Sequence, residues 1–479
     1  MTQPAATDSA TTRPPHASAA PMRGDLTQGP ILRTLLLFSI PTLLSNLLQT
    51  LNGTVNSIWV GKLIGESALA ATANVNIIMF LMMAAVFGFG MATTVRVGQC
   101  YGARNIDTAR VTFGSGLGFC TLISMGVGVL GWFFAPGLLH LLATPEASRI
   151  EALAYLRVVF ITMPLGTISI MVSMGLRGMG DAKIPMFAMI LTVAIDIAMN
   201  PFLIRGVGPI PPLGIAGSAL STAIANFAGS AAMIGWIYAR DIPLRLRGAE
   251  MGYLRPRRSE LGYIITKGLP MGAQMLLVSS AGLIMVGLVN REGLATSAAY
   301  GASMQLWNYL QMPAFALSSA VSAMVAQNVG AGLHKRVSQI TWRGMWANEA
   351  LTATLAVIIV LADRPLLEMF LVPGSAAIPV AQHMQAIVTW SYVLFGVMMV
   401  LTGTMRAYGA VIIPLVIMFV SMYPARLGFY FLAFPYIGAE ALWWAYPFSA
   451  VVAVTLTVTI YLRGNWRKVS GVATKRPGA

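Results

Sequence analysis

Twelve apolar stretches, each near or above the roughly 20 residues an α-helix needs to cross about 30 Å of hydrocarbon, constrain this chain more than any other feature. They centre near residues 35–60, 68–95, 112–142, 151–175, 184–205, 213–239, 261–290, 296–327, 342–362, 380–405, 409–434 and 438–462. Hydrocarbon offers backbone N–H and C=O groups no water to bond to, so each stretch must close its own hydrogen bonds as a helix. Of 479 residues 57% are hydrophobic and 10% charged, with a mean hydropathy of +0.73, too few polar groups to cover a water-soluble body of this size. The chain reads as an all-α polytopic membrane protein of twelve transmembrane helices, with the lipid bilayer as its solvent.

The net charge of +15 sets topology rather than a nucleic-acid partner, because the basic residues lie between apolar blocks instead of clustering on one soluble face. With both termini cytoplasmic, the inner pieces hold about four times as many Lys and Arg as the outer ones, and the run Arg240, Arg245, Arg247, Arg255, Arg257, Arg258 falls inside. Residues 1–27, rich in Ala, Thr, Pro and Ser and without a signal-peptide apolar core, read as an uncleaved disordered cytoplasmic tail. The remaining divisions are an N-lobe at 28–239, a basic cytoplasmic linker at 240–260, a C-lobe at 261–463 and a basic cytoplasmic tail at 464–479. Cys100 and Cys120 are too few for a disulfide framework, and the four histidines form no metal-binding spacing.

An internal repeat decides the architecture. VGQCYGAR at 97–104 returns as VAQNVGAG at 325–332, placing Gln99 and Gly102 on Gln327 and Gly330 at a shift of 228. LRGMGDAKIPM at 176–186 returns as MRAYGAVIIPL at 405–415, and Pro41 falls on Pro270, both at a shift of 229. Six spans separate the copies, so the two six-helix lobes share one orientation and are related by a pseudo-two-fold along the membrane normal.

One carboxylate interrupts the apolar run of the fifth span, at Asp196. An acid there costs about 2.5–3.5 kcal/mol on insertion scales, and such residues face a polar interior and do a job. Asp196 and Asn200, at i and i+4, share one helical face; Gln49, Asn52 and Asn56, at i, i+3 and i+7, share another on the first span. Turning these faces toward each other around water or substrate is the economical arrangement, and Thr222 and Asn226 of the sixth span can join them. Interhelical amide bonding, at about 0.6–2 kcal/mol each, is the alternative role for the amides. The second half carries Gln274, Gln305, Asn308 and Gln311 but no clear mid-membrane acid; Glu349 and Glu440 read as interfacial. Arg426 falls by the repeat beside Ile197, which leaves open a salt bridge to Asp196, or bonding to carbonyls and snorkelling. Pro41, Pro185 and Pro270 are the candidate hinges.

The proline-bent first span leading to VNSIWVGKLIGESALAA, the VGQCYGAR loop, LRGMGDAKIP and GIAGSALST together resemble the MATE (multidrug and toxic compound extrusion) family over about residues 30–465. The fifth span is most similar to the bacterial DinF-like branch. The resemblance implies a twelve-helix antiporter of the bacterial inner (plasma) membrane that expels organic, often cationic or amphipathic compounds in exchange for H⁺ or Na⁺. Two departures stand out. Family members commonly carry an acid in the first span where this chain has Asn56, and the family's Asn-x-x-x-Asp of the fifth span is reversed here as Asp196-x-x-x-Asn200.

The expected function is therefore cation-coupled multidrug efflux by alternating access of two lobes, without cofactor or metal, by a monomer acting on small organic substrates. Asp196, Asn200, Asn56 and Gln49 are the expected coupling residues. Asn52, Thr222, Asn226, Gln274 and Arg426 are expected to line the substrate cavity. One carboxylate among amides favours H⁺ as the coupling ion, although amide and backbone oxygens can complete a Na⁺ site. The absence of a Walker A sequence argues against ATP, and no acid, base or metal cluster suggests an enzyme. A flippase for lipid-linked precursors, of the same superfamily, is the alternative; it calls for several cationic residues along the cavity.

Overall fold

Each apolar stretch forms a helix in the computed structural model, which describes residues 24–141, 146–206 and 211–469. The N-lobe consists of α1 (Ile31–Leu63), α2 (Glu66–Gly102), α3 (Ile106–Leu141), α4 (Glu146–Gly178), α5 (Lys183–Arg205) and α6 (Gly214–Ala239). The C-lobe consists of α7 (Arg258–Val289), α8 (Leu294–Gly330), α9 (His334–Leu361), α10 (Ala377–Ala407), α11 (Ile412–Ile437) and α12 (Glu440–Arg463). All twelve are long and apolar enough to span a bilayer, and no strand occurs among the described residues. Most run beyond their apolar cores, because polar end turns continue the intrahelical ladder outside the hydrocarbon. α9, for instance, starts at His334 rather than near 342.

Each lobe has its own core. In the N-lobe, Leu139, Leu156 and Phe160 of α3 and α4 are fully buried; in the C-lobe, Trp307, Met384 and Leu442 play that part. Side chains such as Leu122, Phe133 and Phe134 point outward and stay exposed, as suits a lipid-facing surface. Within α11, Ser421–Leu427 forms a π-helical turn around Pro424. Proline supplies no N–H to the ladder and its ring crowds the preceding turn, so the helix widens locally to accommodate it.

The two copies of the repeated motif meet each other. A Cβ on Gly102 would overlap the carbonyl of Gln327, and one on Gly330 would overlap the carbonyl of Gln99, so only glycine lets α2 and α8 cross this closely. The glutamines then reach across: Gln99 Nε2 donates to Ala407 O at 2.8 Å, and Gln327 Nε2 to Gly178 O at 3.2 Å. Gly178 and Ala407 are themselves 229 residues apart, so the two bonds are images of one another under the pseudo-two-fold. Around this crossing Leu35, Phe38, Val95, Val321 and Met324 form an apolar core shared by both lobes. The lobes are thus sealed together on the face where the interlobe linker runs.

Two segments read as loose chain reinforce that seal. Residues 1–23 of the expected tail lie outside the described residues, but 24–27 are ordered. Leu26 is buried, its N–H donates to Gln327 Oε1 at 2.9 Å, and its carbonyl accepts from Asn328 Nδ2 at 3.2 Å. The linker is docked rather than free, since Ile242, Leu244 and Leu246 are buried and Arg110 of α3 bonds both the Pro243 carbonyl, at 2.6 Å, and Glu250, at 2.7 Å. Apolar residues alternate with the arginines there, and the basic count hid them. Of the expected C-terminal tail, 465–469 form a turn with Trp466 buried edge-on against Tyr408, and 470–479 lie outside the described residues.

The close crossing makes a prediction. Gly102→Ala or Gly330→Ala must push α2 and α8 apart, at a cost of about 1–3 kcal/mol. Either change should lower Tm and raise maleimide labelling of an Ala326→Cys reporter, which is fully buried in the seal. Gly126→Ala, with nothing within 4 Å of the added Cβ, should change neither. Unaltered melting and labelling in the first two variants would show that the crossing does not hold the lobes.

Candidate functional site

The Asp196 side chain is 0% exposed, and three helices converge on it. From α1, Asn52 Nδ2 and Asn56 Nδ2 each donate to Oδ2 at 2.8 Å. From α6, Ser221 Oγ donates to Oδ1 at 2.7 Å, and Thr222 Oγ1 lies 3.2 Å from Oδ2 and 3.3 Å from Oδ1. Asn200, one turn further along α5, donates to Asn56 Oδ1 at 2.8 Å and makes only a long 3.5 Å contact with the carboxylate. α6 comes this close because Gly217 packs onto the carbonyl of Leu203, where a Cβ would overlap it. Ser221 then also reaches the Asp196 backbone carbonyl at 3.0 Å.

Every group on the carboxylate is a neutral donor. Among the described residues no cation pairs with Asp196, so its charge is spread over dipoles from α1, α5 and α6. The shell is also incomplete: Asn52 Oδ1 and Asn200 Oδ1 are buried acceptors with no hydrogen-bond donor among the described residues. Two free acceptors beside an uncompensated carboxylate make a place that can receive a proton or a small cation.

The expected site residues separate accordingly. Asp196, Asn56 and Asn200 come together as their spacing implied. Asn52, expected on the cavity wall, is bonded to Asp196 instead, whereas Gln49 is exposed on the cavity wall and makes no bond to the carboxylate. Thr222 and Asn226 line the N-lobe cavity, and Thr222 touches Asp196 as well. Gln274 lines none of the three cavities of the cleft. It is buried and donates to the Val411 carbonyl at 3.2 Å, tying α7 to the turn before α11. Arg426 makes no pair with Asp196; it lies in the C-lobe, with Nε donating to Ser449 Oγ at 3.0 Å and the guanidinium 4.3 Å from the centre of the Tyr446 ring.

Pro41 and Pro270 sit inside α1 and α7. Pro185 does not bend α5, because it falls in the first turn, where no intrahelical N–H is required; the internal proline of α5 is Pro201. Ser221 escaped the sequence reading because serine in a membrane helix ordinarily bonds back to its own helix. Glu349 also differs from expectation. It is half-buried well inside α9, beside Asn348 and against Gly396 of α10, and is therefore a second acid at membrane depth. Glu260, placed at the end of the linker, is buried at the seal, where it accepts from Arg96 Nε at 3.2 Å and Thr112 Oγ1 at 2.9 Å.

Three cavities adjoin one another in the cleft. The C-lobe chamber measures about 600 Å³, the N-lobe chamber about 370 Å³, and a passage of about 330 Å³ lies between them. Asn76 of α2 borders both chambers, Gln49 borders the N-lobe chamber and the passage, and Asn308 and Gln311 of α8 border the C-lobe chamber and the passage. These sizes suit small organic molecules.

A family model described as MatE matches residues 41–202 and again 270–432, once per lobe, with the starts of the two matches offset by the 229 residues of the internal repeat. Among curated relatives, the probable multidrug resistance protein YoeA of Bacillus subtilis (strain 168) is 32% identical over 438 residues, which cover 91% of this chain and 94% of that protein. The probable multidrug resistance protein YpnP of the same organism is 29% identical over 446 residues, covering 92% and 97%. Among solved structures, MATE in complex with MaD3S is similar with a TM-score of 0.84 at 19% identity, covering 92% of this chain and 97% of that one. The outward-facing conformation of a multidrug resistance MATE family transporter of the MOP superfamily gives 0.83 at 20%, covering 91% and 96%. With the family model spanning both halves and the fold shared along nearly the whole length, this chain belongs to the MATE family of multi-pass membrane transporters.

Proposed function

We propose that the chain is a cation-coupled antiporter that exports small organic amphipathic compounds by alternating access of its two lobes. H⁺ is the coupling ion, and Asp196 is the residue that carries it. The protein acts as a monomer in the bacterial inner (plasma) membrane with both termini cytoplasmic, in keeping with the basic residues gathered on the linker face. That assignment makes the sealed face the cytoplasmic one.

The observation that carries the proposal is a fully buried carboxylate surrounded by neutral donors and two unpaired amide oxygens. A bound proton removes the charge for which those dipoles are arranged and turns one carboxyl oxygen into a donor. Rotation of Asn52 or Asn200 offers it a free Oδ1 acceptor. The amides on Asp196 come from α1, which packs on α5 in the N-lobe and on α8 in the C-lobe. Changing the α1–α5 bonds therefore acts on the helix that touches both lobes, and Pro41 gives that helix a place to bend. Substrate or water entering past Thr222 favours the charged form again and releases the proton. The same two oxygens favour Na⁺ as the second reading, because a hard cation collects oxygen ligands.

Purified protein in vesicles, loaded with a fluorescent substrate and driven in turn by a pH gradient and a Na⁺ gradient, separates these. Transport should follow the pH gradient, and Asp196→Asn should reduce it at least about tenfold while the protein still purifies and melts cooperatively. Asp196→Asn combined with Asn200→Asp should recover part of the activity. Wild-type rates in Asp196→Asn would remove Asp196 from the mechanism, and transport driven by Na⁺ alone would assign the site to Na⁺.

A change in the donors should be milder. Asn52→Ala or Ser221→Ala withdraws one hydrogen bond from a buried carboxylate, worth about 1.5–3 kcal/mol for a charged acceptor. Each should slow transport and lower Tm by a few degrees, whereas Gln49→Ala, at a residue on the cavity wall, should leave Tm unchanged. Equal melting of all three variants would contradict the assignment of Asn52 and Ser221 to Asp196.

A further inference from the structure

We propose that the C-lobe chamber is a binding site for organic anions: aromatic amphiphiles bearing one sulfonate, phosphate or carboxylate group, which pairs with Arg426 while the ring lies against the chamber's tyrosines. The inference deepens the exporter reading by naming the substrate class, and it narrows the often cationic range that the family resemblance implies.

The charge in the cleft points this way. Among the described residues, Arg426 is the only charged one lining the C-lobe chamber, and Arg177 is the only one lining the N-lobe chamber. No carboxylate among the described residues lines either. Asp196 is turned into the contact of α1, α5 and α6, fully buried, with both oxygens occupied by donors of its own lobe. A cationic ligand in the C-lobe chamber would therefore meet a like charge with no acid to offset it. An anion would supply the countercharge that Arg426 lacks among the described residues.

The arginine is held for the purpose. Its Nε is taken by Ser449 at 3.0 Å and its plane lies over the Tyr446 ring, which leaves the terminal Nη groups as free donors toward the chamber. It stands on the π-helical turn Ser421–Leu427, the one such turn among the described residues and a common feature of functional sites. The wall beside it is fixed. Tyr446 and Tyr300 share a hydroxyl hydrogen bond of 2.6 Å, and Trp307, anchored to Gln385 at 2.9 Å, packs its ring on Tyr300, Tyr392 and Tyr446. An aromatic wall of this kind could cage a cation, but here a protein cation already occupies the face of Tyr446. Phe395 and Met398 complete an apolar floor for the body of an amphiphile.

The test measures binding to the purified full chain in detergent by titration with naphthalene-2-sulfonate and its charge-reversed counterpart, 2-naphthyltrimethylammonium. The sulfonate should bind at least about tenfold more tightly. Arg426→Gln should abolish that preference, Arg426→Lys should restore part of it, and Arg364→Gln, an exposed charge just beyond the C-terminal end of α9, should leave it intact. Sulfonate binding that is no tighter than ammonium binding, or that survives Arg426→Gln in a variant with a wild-type melting profile, would overturn the proposal. The wild-type comparison stands even if Arg426→Gln fails to fold. Because binding is read without an ion gradient, failure of Asp196 coupling would leave this result in place. Conversely, proton-driven export of the ammonium compound without sulfonate binding would overturn the anion site alone.

Discussion

A single buried carboxyl group, with no cation beside it among the described residues, organises the N-lobe. Asp196 is tolerable there only because four short donor contacts from two neighbouring helices replace the water it lost. Those donors dictate which faces of α1 and α6 turn inward, and Gly217 gives α6 the clearance to comply. The same bonds tie α1 to α5. Since α1 also packs on α8, the helix that carries the carboxylate's amide donors touches both lobes.

The second constraint is the duplicated crossing of α2 and α8. Gln99 and Gln327 reach to Ala407 and Gly178, so the pseudo-two-fold runs through the seal itself, and any opening must break a symmetric pair of bonds together. Asymmetry lies above and around it. The N-terminal segment bonds Gln327 and Asn328 of the C-lobe, the Arg96–Glu260 pair has no counterpart among the described residues of the other half, and the chambers differ in size and in the residues that line them. Duplication thus supplies the closing device, and divergence within each lobe supplies the chemistry.

Much of this was legible in the sequence, for identifiable reasons. Span number, lobe symmetry and the meeting of Asp196 with Asn56 follow from apolar length, a constant shift and the helical period, all of them periodic signals. Depth along a helix is not periodic, and that is where the reading failed. Gln49 and Asn52 share a face, but only their height relative to α5 decides which one reaches the carboxylate. Glu349 read as interfacial because the apolar run starts near 342, whereas the helix starts at His334 and carries the acid inward. Pro185 reads as a hinge because the sequence does not tell the first turn of α5 from its middle. Partners across lobes were similarly hidden: Arg426 falls by the repeat beside Asp196, at Ile197, yet it lines the C-lobe chamber while Asp196 is turned into the contact of α1, α5 and α6.

The central claim is that Asp196 carries the proton exchanged for substrate, and the most direct measurement is the number of protons released on substrate binding. Calorimetric titration of the purified protein in buffers of differing ionisation enthalpy reports it without transport. The account predicts release of about one proton per substrate bound at a pH where wild type is loaded, and none from Asp196→Asn. Equal proton release from wild type and Asp196→Asn would contradict it.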